Sequence, residues 1–160
     1  MDVTSETRAI NAPRQAIIDT VLDVEQYPSW ASDIRSVAVL ERDDQGRPVL
    51  VHFRAGAFGR SASYTLRYVT SRLPEEVSWY QVDGDVTSRL EGRYRFESID
   101  DTSTQVTYEL AAELVVPLPG FLKRRAEMKI VHAALEDLAA RVRTLGSRED
   151  SSLIGPDSRA

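Results

Sequence analysis

From residue 34 to residue 116 apolar and polar side chains alternate with a period of two. The alternation breaks at Asp43-Asp44-Gln45-Gly46, Ala57-Phe58-Gly59, Leu73-Pro74-Glu75, Asp83-Gly84-Asp85 and Asp100-Asp101-Thr102-Ser103. A period of two sends successive side chains to opposite faces of a strand, and clusters of Gly, Pro and Asp end strands in tight turns. The pattern therefore predicts six consecutive strands joined by short turns. Tyr64, Leu66 and Tyr68 share a face, as do Leu90, Gly92, Tyr94 and Phe96, and Val106, Tyr108, Leu110, Ala112 and Leu114. The residues between them are polar. An antiparallel meander with one apolar face needs a second layer to cover that face.

The flanking segments supply that layer. Residues 3–11 read as a first strand, and Ala12-Pro13 opens a short helix, because proline is pre-organised for a first helical turn. Ile17, Ile18, Val21 and Leu22 give this helix one buried face, and residues 24–31 read as a second short helical turn or a loop, with a packed corner at Tyr27-Pro28-Ser29-Trp30. After Pro117-Leu118-Pro119-Gly120 a long helix is predicted to run to about Leu145, with Gly146 as its stop. At 100° per residue Phe121, Met128, Val131, Leu135, Leu138, Val142 and Leu145 fall on one stripe, which is the expected lid. Residues 1–145 are thus expected to be a single α+β domain, and the polar segment 146–160 a disordered tail.

Composition narrows the functional classes. A chain of 160 residues fits one domain with a real core, and 42% hydrophobic with 28% charged residues is ordinary for a globular protein. No run approaches the roughly 20 apolar residues of a membrane span, and residues 1–15 lack the features of a signal peptide, so a cytoplasmic location is expected. Without cysteine, only His52 and His132 remain as nitrogen ligands, and neither a metal centre nor a cofactor is expected. A net charge of −5 and the absence of a clustered basic segment argue against nucleic acid as partner. Lysine occurs only at positions 123 and 129 among the 20 basic residues, a skew toward arginine that fits the codon usage of a GC-rich bacterial genome.

Five segments, in order, resemble the START and plant-pollen-allergen superfamily (SRPBCC), which includes polyketide cyclase/dehydrase-like and coenzyme Q-binding branches. They are Ile10-Asn11-Ala12-Pro13, Val24-Glu25-Gln26-Tyr27-Pro28-Ser29-Trp30, Leu90-Glu91-Gly92-Arg93-Tyr94-Arg95-Phe96, Thr104-Gln105-Val106-Thr107-Tyr108-Glu109-Leu110 and Pro117-Leu118-Pro119-Gly120-Phe121-Leu122-Lys123-Arg124. Within the superfamily the chain is similar to small bacterial stand-alone domains. The resemblance implies a helix-grip fold: a strongly curved seven-stranded antiparallel sheet around a long C-terminal helix, with two short helices after the first strand. It also implies a cavity between sheet and helix, used by various members for sterols, lipids, quinones or polyketides.

The expected wall of that cavity is Phe53, Tyr64, Leu66, Tyr68, Trp79, Tyr94, Phe96 and Tyr108, apolar bulk with several hydroxyl tips. Met128, Val131 and Leu135 are its expected helix side. Arg124 falls on the same stripe and Arg8 on the face of Ile10, so both are candidates to meet a polar end of the ligand; the alternative for Arg124 is that its long stem carries the charge to water or to an acidic residue on a neighbouring loop. No inward His, Asp or Glu is secure, and no catalytic residue is assigned. The expected function is binding, and transport, of an apolar lipid, quinone or polyketide-like molecule by a monomer or weak dimer, with transient membrane contact through Phe121, Leu122 and the basic turn beside them. The alternatives are a polyketide cyclase or dehydratase, and an interaction module like the ribosome-association toxins.

Overall fold

The computed structural model describes residues 2–153, with side chains described as far as residue 147. The chain runs β1 (Thr4–Ile10), α1 (Arg14–Leu22), a 3₁₀ segment (Val24–Ser29), β2 (Ile34–Arg42), β3 (Pro48–Ala57), β4 (Arg60–Val69), β5 (Glu76–Gly84), β6 (Thr87–Asp100), β7 (Ser103–Leu114) and α2 (Gly120–Leu153). All seven strands join one sheet in the order β1-β7-β6-β5-β4-β3-β2, every neighbouring pair antiparallel. The six-strand meander stands as the alternation predicts, and β1 closes the order beside β7.

Register shifts break the ladders between β2 and β3, β4 and β5, and β6 and β7. Each extra residue bends its strand and raises the local twist, which lets a sheet of this width curl around a helix. Helix α2 packs on β1 and β7, with α1 against it. The β1–α1 junction is pinned from within: Thr104 on β7 is buried, and its Oγ1 donates to the Ala12 carbonyl at 2.9 Å. That bond satisfies a backbone acceptor at the corner where the chain leaves the sheet.

The core is continuous. Ile17, Ile18, Val21 and Val24 from the short helices meet Val131, Leu135, Leu138 and Val142 of α2 over Val106 and Phe96 of the sheet. The predicted helical stripe is thus right in its centre and wrong at its start. Phe121 is 72% and Met128 57% exposed, because at 100° per residue both lie at the edge of the stripe, about 50–70° from the centre of the packed Val131, Leu135, Leu138 and Val142. The inward position one turn before Val131 belongs to Glu127, which is 3% exposed and paired with Lys123 Nζ at 3.4 Å. At its far end the helix does not stop at Leu145. It passes through Gly146 to Leu153, since one helical glycine costs only about 1 kcal/mol relative to alanine and does not by itself end a helix. The expected disordered tail therefore loses residues 146–153 to the helix, and its remainder, 154–160, lies outside the described residues. Among the described residues no helix is long and apolar enough to cross a membrane.

Candidate ligand cavity

A cavity of about 140 Å³ lies between the concave face of the sheet and one flank of α2. It exists because large side chains give way to small ones on both walls. Ala55 on β3 faces Ala62 on β4 in register, and across the gap α2 presents Ala133 and Ala134. Gly56 and Ala57 continue the thin wall to the β3–β4 turn.

Aromatic rings make up most of the rest of the lining. Phe53 stacks on Tyr64 at 5.5 Å, and Trp79 touches Tyr68, Tyr94 and Tyr108 at 5.7, 5.5 and 5.8 Å. Room for the Trp79 indole comes from Gly92, its cross-strand partner on β6: a Cβ there would lie 2.6 Å from the indole ring. The side of the cavity away from the sheet's centre is closed by Tyr27 and Trp30, whose rings meet edge to face at 5.0 Å.

Seven of the residues expected from the sequence line this cavity: Phe53, Tyr64, Leu66, Tyr68, Trp79, Tyr94 and Tyr108. The other five stand elsewhere. Phe96 is buried on the same face of β6 but stacks behind Tyr94 toward α1, outside the cavity. Val131 and Leu135 are fully packed core residues, and Met128 is exposed. Arg124 has a side chain 70% exposed, with Nη2 3.9 Å from Oδ2 of Asp2, which precedes β1. Its angular position matches the stripe, but it lies beyond the sheet, so it meets solvent and a surface carboxylate. Arg8 is exposed on the sheet-edge strand, and the β1–β7 register runs without a bulge. Neither arginine lines the cavity.

The residues missed are those with the weakest hydrophobic signal. On α2 the cavity face is Ile130, Ala133, Ala134 and Asp137, turned roughly 100° about the helix axis from the core stripe at 100° per residue. Alanines and an aspartate do not register as an apolar stripe. Tyr27 and Trp30 sit on the 3₁₀ segment, which has neither a period of 2 nor of 3.6. The only hint was the aromatic pair flanking Pro28 and Ser29.

The chemistry of the lining is set by five phenols. Tyr27 donates to the Val21 carbonyl, and the Tyr68 phenol lies close to that of Tyr27. Among the described residues the hydroxyls of Tyr64, Tyr94 and Tyr108 have no hydrogen-bond partner, yet no buried side-chain polar atom is stranded without one. These hydroxyls therefore face the cavity. Burial pushes all five phenols above the ordinary tyrosine range, and their mutual proximity adds to this for Tyr27, Tyr64, Tyr68 and Tyr94. They are neutral at physiological pH, able to donate or accept a hydrogen bond and unable to act as bases.

Carboxylates occur only at the mouth. Asp137 Oδ2 accepts from Ser32 N at 2.9 Å and Ser32 Oγ at 2.8 Å, which ties α2 to the loop before β2 across the opening. Asp33, next in the loop, is exposed. The histidines stand apart: His52 bonds Thr65 on β4, and His132 lies between Glu6 and Glu136 on the surface.

A curved sheet gripping a helix over an aromatic, hydroxyl-tipped hollow defines a helix-grip domain. The family described as polyketide cyclase/dehydrase and lipid transport matches residues 10–139, and the chain belongs to it. The structure superimposes on a START superfamily protein from Mycobacterium smegmatis with a TM-score of 0.84 and 23% identity, covering 89% of this chain and 98% of that one. The Zhui aromatase/cyclase from Streptomyces sp. R1128 gives a TM-score of 0.77 at 14% identity, covering 89% of this chain and 93% of its own. A protein from Thermus thermophilus gives 0.77 at 22% identity, covering 90% and 99% respectively. At these identities the likeness speaks for the fold. No curated protein matches the chain in sequence. Family and fold together support a ligand-binding or cyclase-type role.

Proposed function

We propose that the chain binds an apolar small molecule with one ring-sized segment seated in the cavity, and that it acts as a carrier or binder. The observation that supports this most directly is a preformed apolar hollow into which the hydroxyls of Tyr64, Tyr94 and Tyr108 project unpartnered. An apolar cavity of about 150 Å³ in another protein holds benzene, so about 140 Å³ fits a single ring or a short branched chain. A lipid, a quinone or a multi-ring polyketide would need the mouth to widen at the Ser32–Asp137 contact.

The cyclase or dehydratase reading requires a base beside the substrate. The phenols are held neutral, and of the two lining carboxylates Asp137 is engaged by Ser32 at the mouth while Asp33 is exposed beside it, so binding is the better-supported role. Native mass spectrometry of gently purified protein, followed by solvent extraction, tests it. A stoichiometric apolar molecule is the expected result. An empty protein that also ignores lipids, quinones and aromatic ketides in thermal-shift screens overturns the proposal, and turnover of a ketide mimic favours the enzyme.

Delivery to a membrane is the second reading, favoured by one surface. Val115, Val116, Leu118, Phe121 and Leu122 are all exposed at the β7–α2 junction, beside the exposed Arg124 and Arg125. Apolar side chains that insert at a headgroup boundary, next to cations worth about 1 kcal/mol each near an anionic surface, make a reversible anchor. Flotation with anionic vesicles at low salt is expected to carry the protein, and Phe121→Ser to reduce this. Equal behaviour with neutral vesicles refutes the electrostatic part.

A further inference from the structure

Outside the mouth lies a second depression of about 380 Å³, between the β3–β4 turn and the first half of α2. It is continuous with the apolar cavity: Asp33, Gly56, Ala57, Phe58 and Ile130 line both. Its character is the reverse. Arg35, Arg60 and Lys129 line it against the single carboxylate of Asp33, in a chain whose net charge is −5. Among the described residues none of these three cations is within ion-pair distance of a carboxylate, and Arg60 acts on Asp85 only at longer range.

We infer that this vestibule is an anion-binding subsite, so that the ligand is an amphiphile with its apolar body in the tyrosine-lined cavity and a carboxylate or similar anionic head among Arg35, Arg60 and Lys129. The inference rests on the cavity reading above and adds the class of head group.

The threshold between the two compartments is built for this. Arg35 Nη1 reaches Ser61 Oγ at 3.4 Å, and Nη2 lies 3.9 Å from where a Cβ on Gly56 would stand. The guanidinium is therefore held beside a wall residue common to both spaces, and its planar fork suits a carboxylate. At the tip of the turn Phe58 has φ 54° and Gly59 φ 75°. A left-handed backbone is natural for Gly59 and strained for Phe58. It places a large apolar side chain where the ligand would pass from greasy to charged surroundings, and such strained positions cluster at ligand clamps.

The two tryptophans of the chain, Trp30 and Trp79, both line the inner cavity, so their indole N–H signals report its occupancy. The test is a ¹⁵N NMR titration of the full chain with 3-phenylpropanoate and with its methyl ester, at low and at high salt. Both probes are expected to shift the indole signals. The anion is expected to bind about tenfold tighter than the ester, an advantage that shrinks with salt and is largely lost in Arg35→Gln/Lys129→Gln, while Arg35→Lys retains part of it. These residues are exposed, so the variants are expected to fold.

Equal affinities, with both probes moving the indoles, overturn the vestibule and leave the cavity reading standing. Tighter anion binding that moves neither indole overturns the amphiphile, since the anion then sits on the surface alone. Absence of binding by either probe overturns both readings.

Discussion

Replacing Gly92 with alanine separates two opposing effects whose signs are known in advance. Gly92 lies in β6 opposite Trp79 of β5, without a left-handed backbone. At such a site an added methyl group normally stabilises a protein by about 0.4–1 kcal/mol, through the lost freedom of the unfolded chain. Here the Cβ would sit 2.6 Å from Cε2, Cζ2 and Nε1 of the indole. The ring cannot move aside freely, because Tyr68, Tyr94 and Tyr108 flank it with centroids 5.5–5.8 Å away. Overpacking of this kind costs about 1–3 kcal/mol. A net loss of about 1–2 kcal/mol is expected, which for a chain of this length lowers Tm by about 2–8 °C.

Urea and thermal unfolding measure the loss directly. Gly56→Ala provides the control, since its Cβ would meet nothing closer than 3.9 Å, and it is expected to stay within about 0.5 kcal/mol of the native chain. Trp79→Phe, made in the Gly92→Ala background, shortens the ring that is struck. The two changes should then couple by about 0.5–3 kcal/mol in the favourable direction. A Gly92→Ala protein as stable as the native one, or strict additivity with Trp79→Phe, would refute the claim that this glycine makes room for the indole.

Three other outcomes follow from the same structure. The five cavity tyrosines have folded pKa values raised above the unfolded value near 10. Above that pH the unfolded chain releases protons that the native chain keeps, so stability is full below about pH 10 and falls as pH rises further. Urea unfolding from pH 8 to 11 checks this, and a flat profile contradicts it. Lys123→Met leaves the buried Glu127 carboxylate without its 3.4 Å partner; a loss of about 1–3 kcal/mol is expected, reduced from the fully buried case because Lys123 is partly exposed, and largely regained in Lys123→Met/Glu127→Leu. Gly146→Ala should stabilise by about 0.5–1 kcal/mol in chemical unfolding, because the helix continues through it with open space around the position, whereas no gain is expected if the helix ended there.

Most of the fold was legible because it is written in periodic contrast. Alternation fixed which residues of β4, β6 and β7 face inward, and Gly, Pro or a pair of Asp marked each turn within a residue or two. Trp79 lay on a strand whose face the alternation did not decide, and Gly92 opposite it is the feature that could have done so. The helix was readable only where its stripe has something to cover. Arg124 lies at the same angle as Leu138 and Val142, yet angle carries no information about how far a sheet extends, and Arg124 falls past its edge. Glu127 was hidden by its charge, since a buried carboxylate reads as a surface residue until its lysine four positions earlier is seen to cover it.

The cavity was legible on the sheet side and illegible on the helix side for one physical reason. A core is made by large apolar residues, which hydrophobicity detects; a cavity is made by their absence, and Ala55, Ala62, Ala133 and Ala134 carry little signal of any kind. Helix α2 therefore has two working faces. One, through Val131, Leu135 and Leu138, is packed to near-zero exposure and holds the sheet curled; the other, through Ile130, Ala134 and Asp137, sets the size and mouth of the hollow. Because the two faces are separated by about a quarter turn of helix, enlarging or filling the cavity need not disturb the contacts that keep the fold. A change such as Ala134→Leu is then expected to reduce ligand occupancy while the core stripe stays packed, which is how one scaffold accommodates ligands of different size without altering its architecture.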